Sequence, residues 1–247
     1  MRLGTLAAVE LLHAGTVWEL LRPLNGYSRP SGQGLATQAW AGRQLQLLPN
    51  PAGGHRLRAR LLDDGYPCWI EPDDLLGSAQ LAARRPAQLL DGPSIARQIP
   101  AVLAFATAAL ALPNHYLWGG SLGPDYDCSG LVQRAFASAG IWIPRDAYLQ
   151  ERFCQPVAVQ PGVLHALRPG DLIFFGLPQR CTHVGLHLGE GRYLHSSGQE
   201  HGRGGLGIDD LAPQNPDPVA SHYRRQLRGA GRVVGGVDGR GRRRAWS

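Results

Sequence analysis

The sequence predicts two domains, a small all-β barrel followed by an α+β domain. Three observations carry this. Residues 15 to about 76 hold short runs with partial apolar alternation, each bounded by turn residues. From about Pro100 the apolar spacing becomes helical. A second helical pattern after Cys128 then gives way to further short strands. With 33 Gly and 19 Pro in 247 residues, the chain has the turn formers that many short strands need.

In the first domain the runs are "TVWELL", "LATQAW", "GRQLQLL", "HRLRARLL" and "YPCWIE", separated by "LNGYSRPSGQG", "LPNPAGG" and "DDGYP". The polar, Pro-containing "SAQLAARRPAQLLDGPS" reads as a linker. The expected boundaries are 1–80 for the barrel, 81–98 for the linker, 99–236 for the second domain and 237–247 for a basic tail. That tail is expected to be disordered.

In the second domain, Val102, Leu103, Phe105, Ala106, Ala109 and Leu110 fit a helix with a broad apolar face. Pro100 is expected in its first turn, where a missing N–H costs nothing, and Pro113 stops it. The loop "NHYLWGGSLGPDYD" leads to Cys128. Leu131, Val132, Ala135, Phe136 and Ala139 then form one helical face, with Gly140 as C-terminal cap. "DLIFFG", "THVGLHLG", "RYLHSS" and "AGRVVG" read as antiparallel strands, the middle two joined by a tight turn at 189–191.

The net charge of +6 owes much to the C-terminal arginines, which come with no aromatic platform or nucleic-acid motif, so nucleic acid is not expected as a partner. No apolar run reaches the roughly 18 residues of a membrane span, so no membrane partner is expected. The stretch Ala101–Leu112 reads as a buried helix. The N-terminal segment is interrupted by Glu10 and lacks a small-residue cleavage site, which reads as mature sequence and favours a cytoplasmic protein over one of the periplasm or wall. A monomer is expected.

The four cysteines, Cys68, Cys128, Cys154 and Cys181, include no C-x-x-C pair, so free thiols are expected. Cys128 differs from the others in opening a helix. The macrodipole and free N–H groups there favour an anion, so the thiol pKa is expected to fall. A thiolate nucleophile needs a base, and His183 and His195 stand on strands joined by a short turn, where antiparallel pairing sets them side by side. His183 would accept the thiol proton and His195 would orient it. Strand parity puts His183, Gly185 and His187 on one face and Val184, Leu186 and Leu188 on the other, with His187 a surface or internally satisfied histidine. Two blander readings stand beside this. A cysteine at a helix start also suits simple packing. Cys181, His183, His187 and His195 are metal-ligating types, but their spacing is not that of a zinc site.

The segments "YDCSGLVQRAFASAGIWIPRDAYLQ", "PGDLIFFG", "THVGLHLGEGRYLHSSG" and "LRGAGRV" together resemble the NlpC-type family of papain-like cell-wall cysteine peptidases. The likeness covers about residues 95 to 236, and the preceding strands resemble a bacterial SH3-like barrel. The pair is most similar to γ-D-glutamyl-L-diamino-acid endopeptidases of cyanobacterial and Bacillus type.

That resemblance implies Cys128 as nucleophile, His183 as base and His195 as third residue. It implies a cleft lined by Tyr116 and Trp118, with Asp127, Ser129 and Asp146 at substrate-contacting positions and Ser196 and Ser197 as further contacts. From the barrel it implies Tyr66, in "DDGYPCWIE", with Asp63, Asp64 and Glu71 as possible acidic helpers. The implied substrate is a peptidoglycan stem peptide, L-Ala-γ-D-Glu-diamino acid (meso-diaminopimelate or lysine), whose free N-terminal ammonium meets an anion such as Asp127. No metal or organic cofactor is implied. Cys68 stands where similar barrels have a small residue, and Arg29, Pro30 and Ser31 stand where acidic residues can occur. Two rival functions use the same fold: an inactive wall-binding protein, and a papain-like amidase or acyltransferase of other specificity.

Overall fold

The computed structural model describes residues 2–50 and 54–237. The tail expected at 237–247 lies, apart from Val237, outside the described residues. Two compact units follow one another, one running from the N-terminus to Gln88 and one from Leu89 to Gly236.

The first unit is a seven-stranded antiparallel barrel-like sheet in the order β3-β2-β6-β5-β4-β1-β7. Its strands are β1 (Val17–Leu20), β2 (Leu24–Tyr27), β3 (Leu35–Ala39), β4 (Gln44–Leu47), β5 (Leu57–Leu61), β6 (Pro67–Ile70) and β7 (Ala79–Leu81), with one helical turn, α1 (Pro72–Leu75), before β7. Alternation works as the sequence suggests. Trp18, Leu20, Leu45, Leu47, Ala59, Leu61, Cys68 and Ile70 point inward and are buried together. Two strands were not expected. Leu24–Tyr27 lies in a stretch that reads as a turn because of Asn25-Gly26, yet it pairs with both β3 and β6. Gly26 has a packing reason: a Cβ there would press on Thr37 and Cys68 at 2.9–3.0 Å. The larger Cys68 is thereby accommodated. Ala79–Leu81, at the start of the expected linker, closes the sheet against β1. The N-terminal segment joins the same edge, through Ala7 N–H to the Ala79 carbonyl and Leu81 N–H to that of Thr5.

The second unit begins with α2 (Gly92–Leu110), capped by Asp91, whose carboxylate accepts from Ser94 N–H at 2.8 Å, with Pro93 in the first turn. The helix thus starts two turns before the expected place, inside the expected linker, and Pro100 sits in its interior. Both Pro100 and Ala96, whose carbonyl loses its i+4 donor, are exposed, so solvent reaches the orphaned acceptor. The helix is also less buried than expected, only Ile95, Val102, Ala106 and Ala109 being enclosed. Among the described residues it is the one helix long and apolar enough to cross a membrane by length and composition.

Helix α3 (Cys128–Ser138) packs on α2 and closes in a Schellman motif. Gly140, at φ +75°, donates to Ala137, and Ile141 donates to Phe136. Next come α4 (Ala147–Phe153), β8 (Gln155–Val157), β9 (Leu172–Leu177), β10 (Arg180–Gly189), β11 (Arg192–Ser197), β12 (Gly205–Asp210), α5 (Pro218–Arg225) and β13 (Leu227–Arg232). The six strands form an antiparallel sheet in the order β12-β11-β10-β9-β13-β8. Of these elements α4, β8, β12 and α5 were not expected. The last has a legible start: Asp217 accepts from Val219 and Ala220 N–H, and Pro218 follows it directly. Helices α3 and α4 cover β10, so both faces of that strand are buried, with Val184 and Leu186 at 0% exposure and His183 and His187 at 7% and 2%.

Candidate active site

Cys128 opens α3, and the helix start is held by the residue before it. Asp127 caps the helix through Gly130 N–H at 2.6 Å and anchors the preceding loop through Gly119 N–H at 2.9 Å. Arg145, only 1% exposed, grips both carboxylate oxygens at 3.0 and 2.7 Å and the Ser129 hydroxyl at 2.9 Å. A loop, a helix cap and the turn before α4 therefore meet on one buried ion pair that fixes where Cys128 sits. Gly130 completes this join, because a Cβ there would overlap the Gly120 carbonyl. Gly130→Ala is expected to cost about 1–3 kcal/mol through that overlap, read by urea denaturation. Unchanged stability would show that the loop yields freely.

The thiol lies against β10. Backbone N–H groups of Val184 and Ser129 face its sulfur. Burial pushes the Cys128 thiol up to about 12, with the Asp127 charge adding to the rise and the two N–H groups and Arg145 opposing it. The expected fall in pKa is therefore reversed, since desolvation outweighs the helix N-terminus. His183, next to Val184, is held well below 6.5 by the same burial, reinforced by repulsion from His195, His201 and His222. Both effects favour a neutral thiol beside a neutral imidazole. Proton transfer between the two creates no net charge, so burial opposes the transfer less than it opposes either ion alone.

His183 and His195 are brought together, His183 Nε2 lying 2.7 Å from His195 Nδ1. Beyond them His195 Nε2 meets Asp209 Oδ2 at 2.6 Å, and Arg203 bonds the other Asp209 oxygen at 2.6 Å. Asp209 was not anticipated; it stands on β12 diagonally across from His195, in a "GIDD" segment that was not recognised as a strand. Tyr223 was also missed. Its ring stacks on His183, with centroids 4.1 Å apart, and its hydroxyl bonds Ser197.

Several expected substrate contacts are placed elsewhere. Ser196 and Ser197 are 0% exposed, with Ser196 donating to the Tyr126 carbonyl at 2.6 Å and Ser197 paired with Tyr223 at 2.8 Å. Neither presents surface to a ligand. Ser129 is turned inward to Arg145 and Asp127. An ammonium arriving at Asp127 would share that carboxylate with Arg145. Asp146 is half-buried at the N-cap of α4, where its carbonyl, not its side chain, accepts from Leu149 and Gln150. Tyr116 is half-buried, and its hydroxyl is pushed up by burial first, with the neighbouring Cys128 and Asp127 adding to the rise. Trp118 is 73% exposed on the same loop. Glu200, 68% exposed, acts electrostatically on both Tyr116 and Tyr223 and so belongs to this rim.

In the barrel, Tyr66 packs against the core, Asp63 and Asp64 pair with the buried Arg43, and Glu71 pairs with Arg56 and His55. The possible acidic helpers thus already have cationic partners within their own domain. His187 is internally satisfied. Its Nδ1–H donates to the Arg168 carbonyl at 2.9 Å and its Nε2 accepts from Gly191 N–H at 3.2 Å. The space beside Gly185 is filled by the Tyr193 ring. Among the described residues no cluster of three potential metal ligands occurs.

The NlpC/P60 family matches residues 113–223, and the bacterial dipeptidyl-peptidase SH3 domain matches residues 26–75. The γ-D-glutamyl-L-lysine dipeptidyl-peptidase of Bacillus subtilis is 40% identical over 93 residues, 36% of this chain and 30% of that protein. The bifunctional muramidase/DL-endopeptidase CwlT of Bacillus subtilis is 35% identical over 123 residues, 48% of this chain and 32% of that protein. The chain therefore spans less than a third of the length of these relatives. A solved NlpC/P60 family protein from Bacillus cereus aligns at 23% identity and a TM-score of 0.46, over 89% of this chain and 64% of that one. Residues 113–223, in the α+β unit, are thus similar to the NlpC/P60 family, and residues 26–75, in the β-rich unit, to a bacterial SH3 domain.

Proposed function

We propose that the second domain is a cysteine endopeptidase that hydrolyses the γ-D-glutamyl–L-diamino acid bond of peptidoglycan stem peptides with a free N-terminal L-Ala, in murein turnover or recycling. The observation that carries the reading is Cys128 set against β10 at Val184, the neighbour of His183, with His195 and Asp209 hydrogen-bonded in turn behind His183. A chain of hydrogen bonds of 2.7 and 2.6 Å runs back from His183, the base that would serve the thiol. The relatives named as γ-D-glutamyl-L-lysine dipeptidyl-peptidases support the choice of bond.

In this reading the substrate γ-carbonyl settles at the start of α3. Cys128 Sγ attacks the carbonyl carbon as its proton passes to His183, and the tetrahedral oxyanion is stabilised by N–H groups at the helix start. Collapse breaks the C–N bond, and His183 protonates the departing amine of the diamino acid. Water, deprotonated by His183, then releases L-Ala-D-Glu from the thioester. Within this domain, the exposed Glu200 is the carboxylate offered to the substrate ammonium, and Tyr116 and Trp118 line its approach. A peptide whose alanine nitrogen is acylated brings no ammonium to these groups and is disfavoured.

The test is mass-spectrometric. Purified protein is incubated with synthetic L-Ala-γ-D-Glu-meso-diaminopimelate, with its L-lysine counterpart and with their N-acetylated forms, and Cys128→Ala serves as control. Release of L-Ala-D-Glu from the free peptides by the native protein alone is expected. No release from either free peptide by a folded protein would overturn the reading. Equal cleavage of the acetylated forms would overturn the requirement for a free ammonium.

A further inference from the structure

The hydrogen bonds behind His183 determine where its proton sits. Asp209 is ionised. Burial, the largest single effect, would raise its pKa, but the His195 N–H and the Arg203 guanidinium together hold it below the usual carboxylate range. A carboxylate only accepts, so the 2.6 Å bond to His195 Nε2 requires a proton on that nitrogen. His195 is fully buried and held neutral by desolvation, against the pull of Asp209, so its Nδ1 is bare and accepts. The 2.7 Å bond from His183 Nε2 then requires a proton on Nε2. His183 is neutral as well, which leaves its Nδ1 bare. Nδ1 is the nitrogen not engaged by His195 and the one left to take the Cys128 proton.

Resting on the peptidase reading above, we propose that Asp209, clamped by Arg203, is the positioning residue that makes His183 a base by setting the tautomers of both histidines. The structure prepares the clamp. Arg203 lies over Gly207, where a Cβ would overlap its side chain, and it bonds the Asp209 oxygen not used by His195. Arg203 can only donate, so it requires an acceptor at that oxygen.

This makes the isosteric Asp209→Asn informative. Arg203 draws the amide oxygen to itself, which turns the amide NH2 toward His195 Nε2. His195 must then carry its proton on Nδ1 and donate to His183 Nε2, and His183 must carry its own on Nδ1, where it can no longer accept from the thiol. The geometry is kept and the base is lost.

Two measurements test this. The first needs no substrate. In protein labelled with 15N at histidine, side-chain nitrogen shifts near pH 7.5 are expected to show His183 protonated at Nε2 and bare at Nδ1, and the reverse in Asp209→Asn. A native His183 carrying its proton on Nδ1 would overturn the proposal. The second is kinetic. Asp209→Asn is expected to lower kcat by roughly a hundredfold or more, with KM within about threefold, the scale of general-base catalysis. Adding Arg203→Met frees the amide oxygen to face His195, so the double variant is expected to regain activity over Asp209→Asn alone. A purely structural role for the ion pair predicts a further loss instead, and that result would overturn the proposal. The two readings fail separately. A native protein inert toward every stem peptide but showing the expected shifts sinks the substrate, not the relay. An active native protein with an equally active Asp209→Asn sinks the relay alone.

Discussion

Arg145→Leu is expected to destabilise the second domain by about 3–5 kcal/mol, the usual cost of removing one partner of a buried ion pair. Arg145 is 1% exposed and supplies two of the four nitrogen donors within 3.0 Å of the Asp127 carboxylate, the others being Gly119 and Gly130 N–H. Without the guanidinium a buried carboxylate remains with no counter-charge. The same carboxylate caps α3 and orders the loop ahead of Cys128, so the loss reaches that thiol. Urea denaturation gives the free energy, and the double variant Arg145→Leu/Asp127→Asn is expected to recover part of it, because no charge is then left uncompensated. A single-variant change under about 1 kcal/mol would show that the pair contributes no more than an exposed one.

Under the proposed mechanism, His183→Ala is expected to lower hydrolysis of the stem peptide by about 10²–10⁴-fold, the range of general acid–base catalysis. The pH profile of the native protein provides the companion result. The proposed mechanism needs His183 unprotonated, and burial holds its pKa well below 6.5. As pH falls through 6.5 the activity is therefore retained, and it is lost only as His183 titrates further down. An acid limb of kcat/KM above 6.5 would contradict this. Stability has the same sign. His183 and His195 both have lowered pKa values in the folded protein, so the unfolded chain binds more protons below 6.5. Their contribution is present above 6.5 and is lost as pH falls below it.

Much of the fold is visible in local pattern. The inward runs around Trp18, Leu45 and Ile70 alternate with period two, and the α3 face from Leu131 to Phe136 repeats with helical spacing, because each must bury one side against a single core. Gly140 is readable as a cap because few other residues tolerate its left-handed backbone. The elements that pattern does not reveal are those whose partners supply the reason for them. Leu24–Tyr27 becomes a strand because β3 and β6 flank it, against the turn tendency of Asn25-Gly26. Pro100 is carried inside α2 because its side of the helix faces solvent.

The chemistry divides along the same line. Residue type and order bring Cys128, His183 and His195 forward as candidates beside blander readings, since a thiol at a helix start and two histidines across a tight turn are local facts, and the family resemblance chooses among those readings. Whether a side chain is free to act is not local. Ser196 and Ser197 follow His195 in the chain, yet sheet packing buries both under Tyr126 and Tyr223. Asp127 carries the right charge, yet Arg145 compensates it from 18 residues away. The rise of the Cys128 thiol comes from the strand and helices packed around it, against the helix end that the chain order supplies. Asp209 reaches His195 only when β12 pairs with β11 and sets a carboxylate behind it. Desolvation and long-range hydrogen bonding depend on what the folded chain places nearby, and no window of sequence contains that.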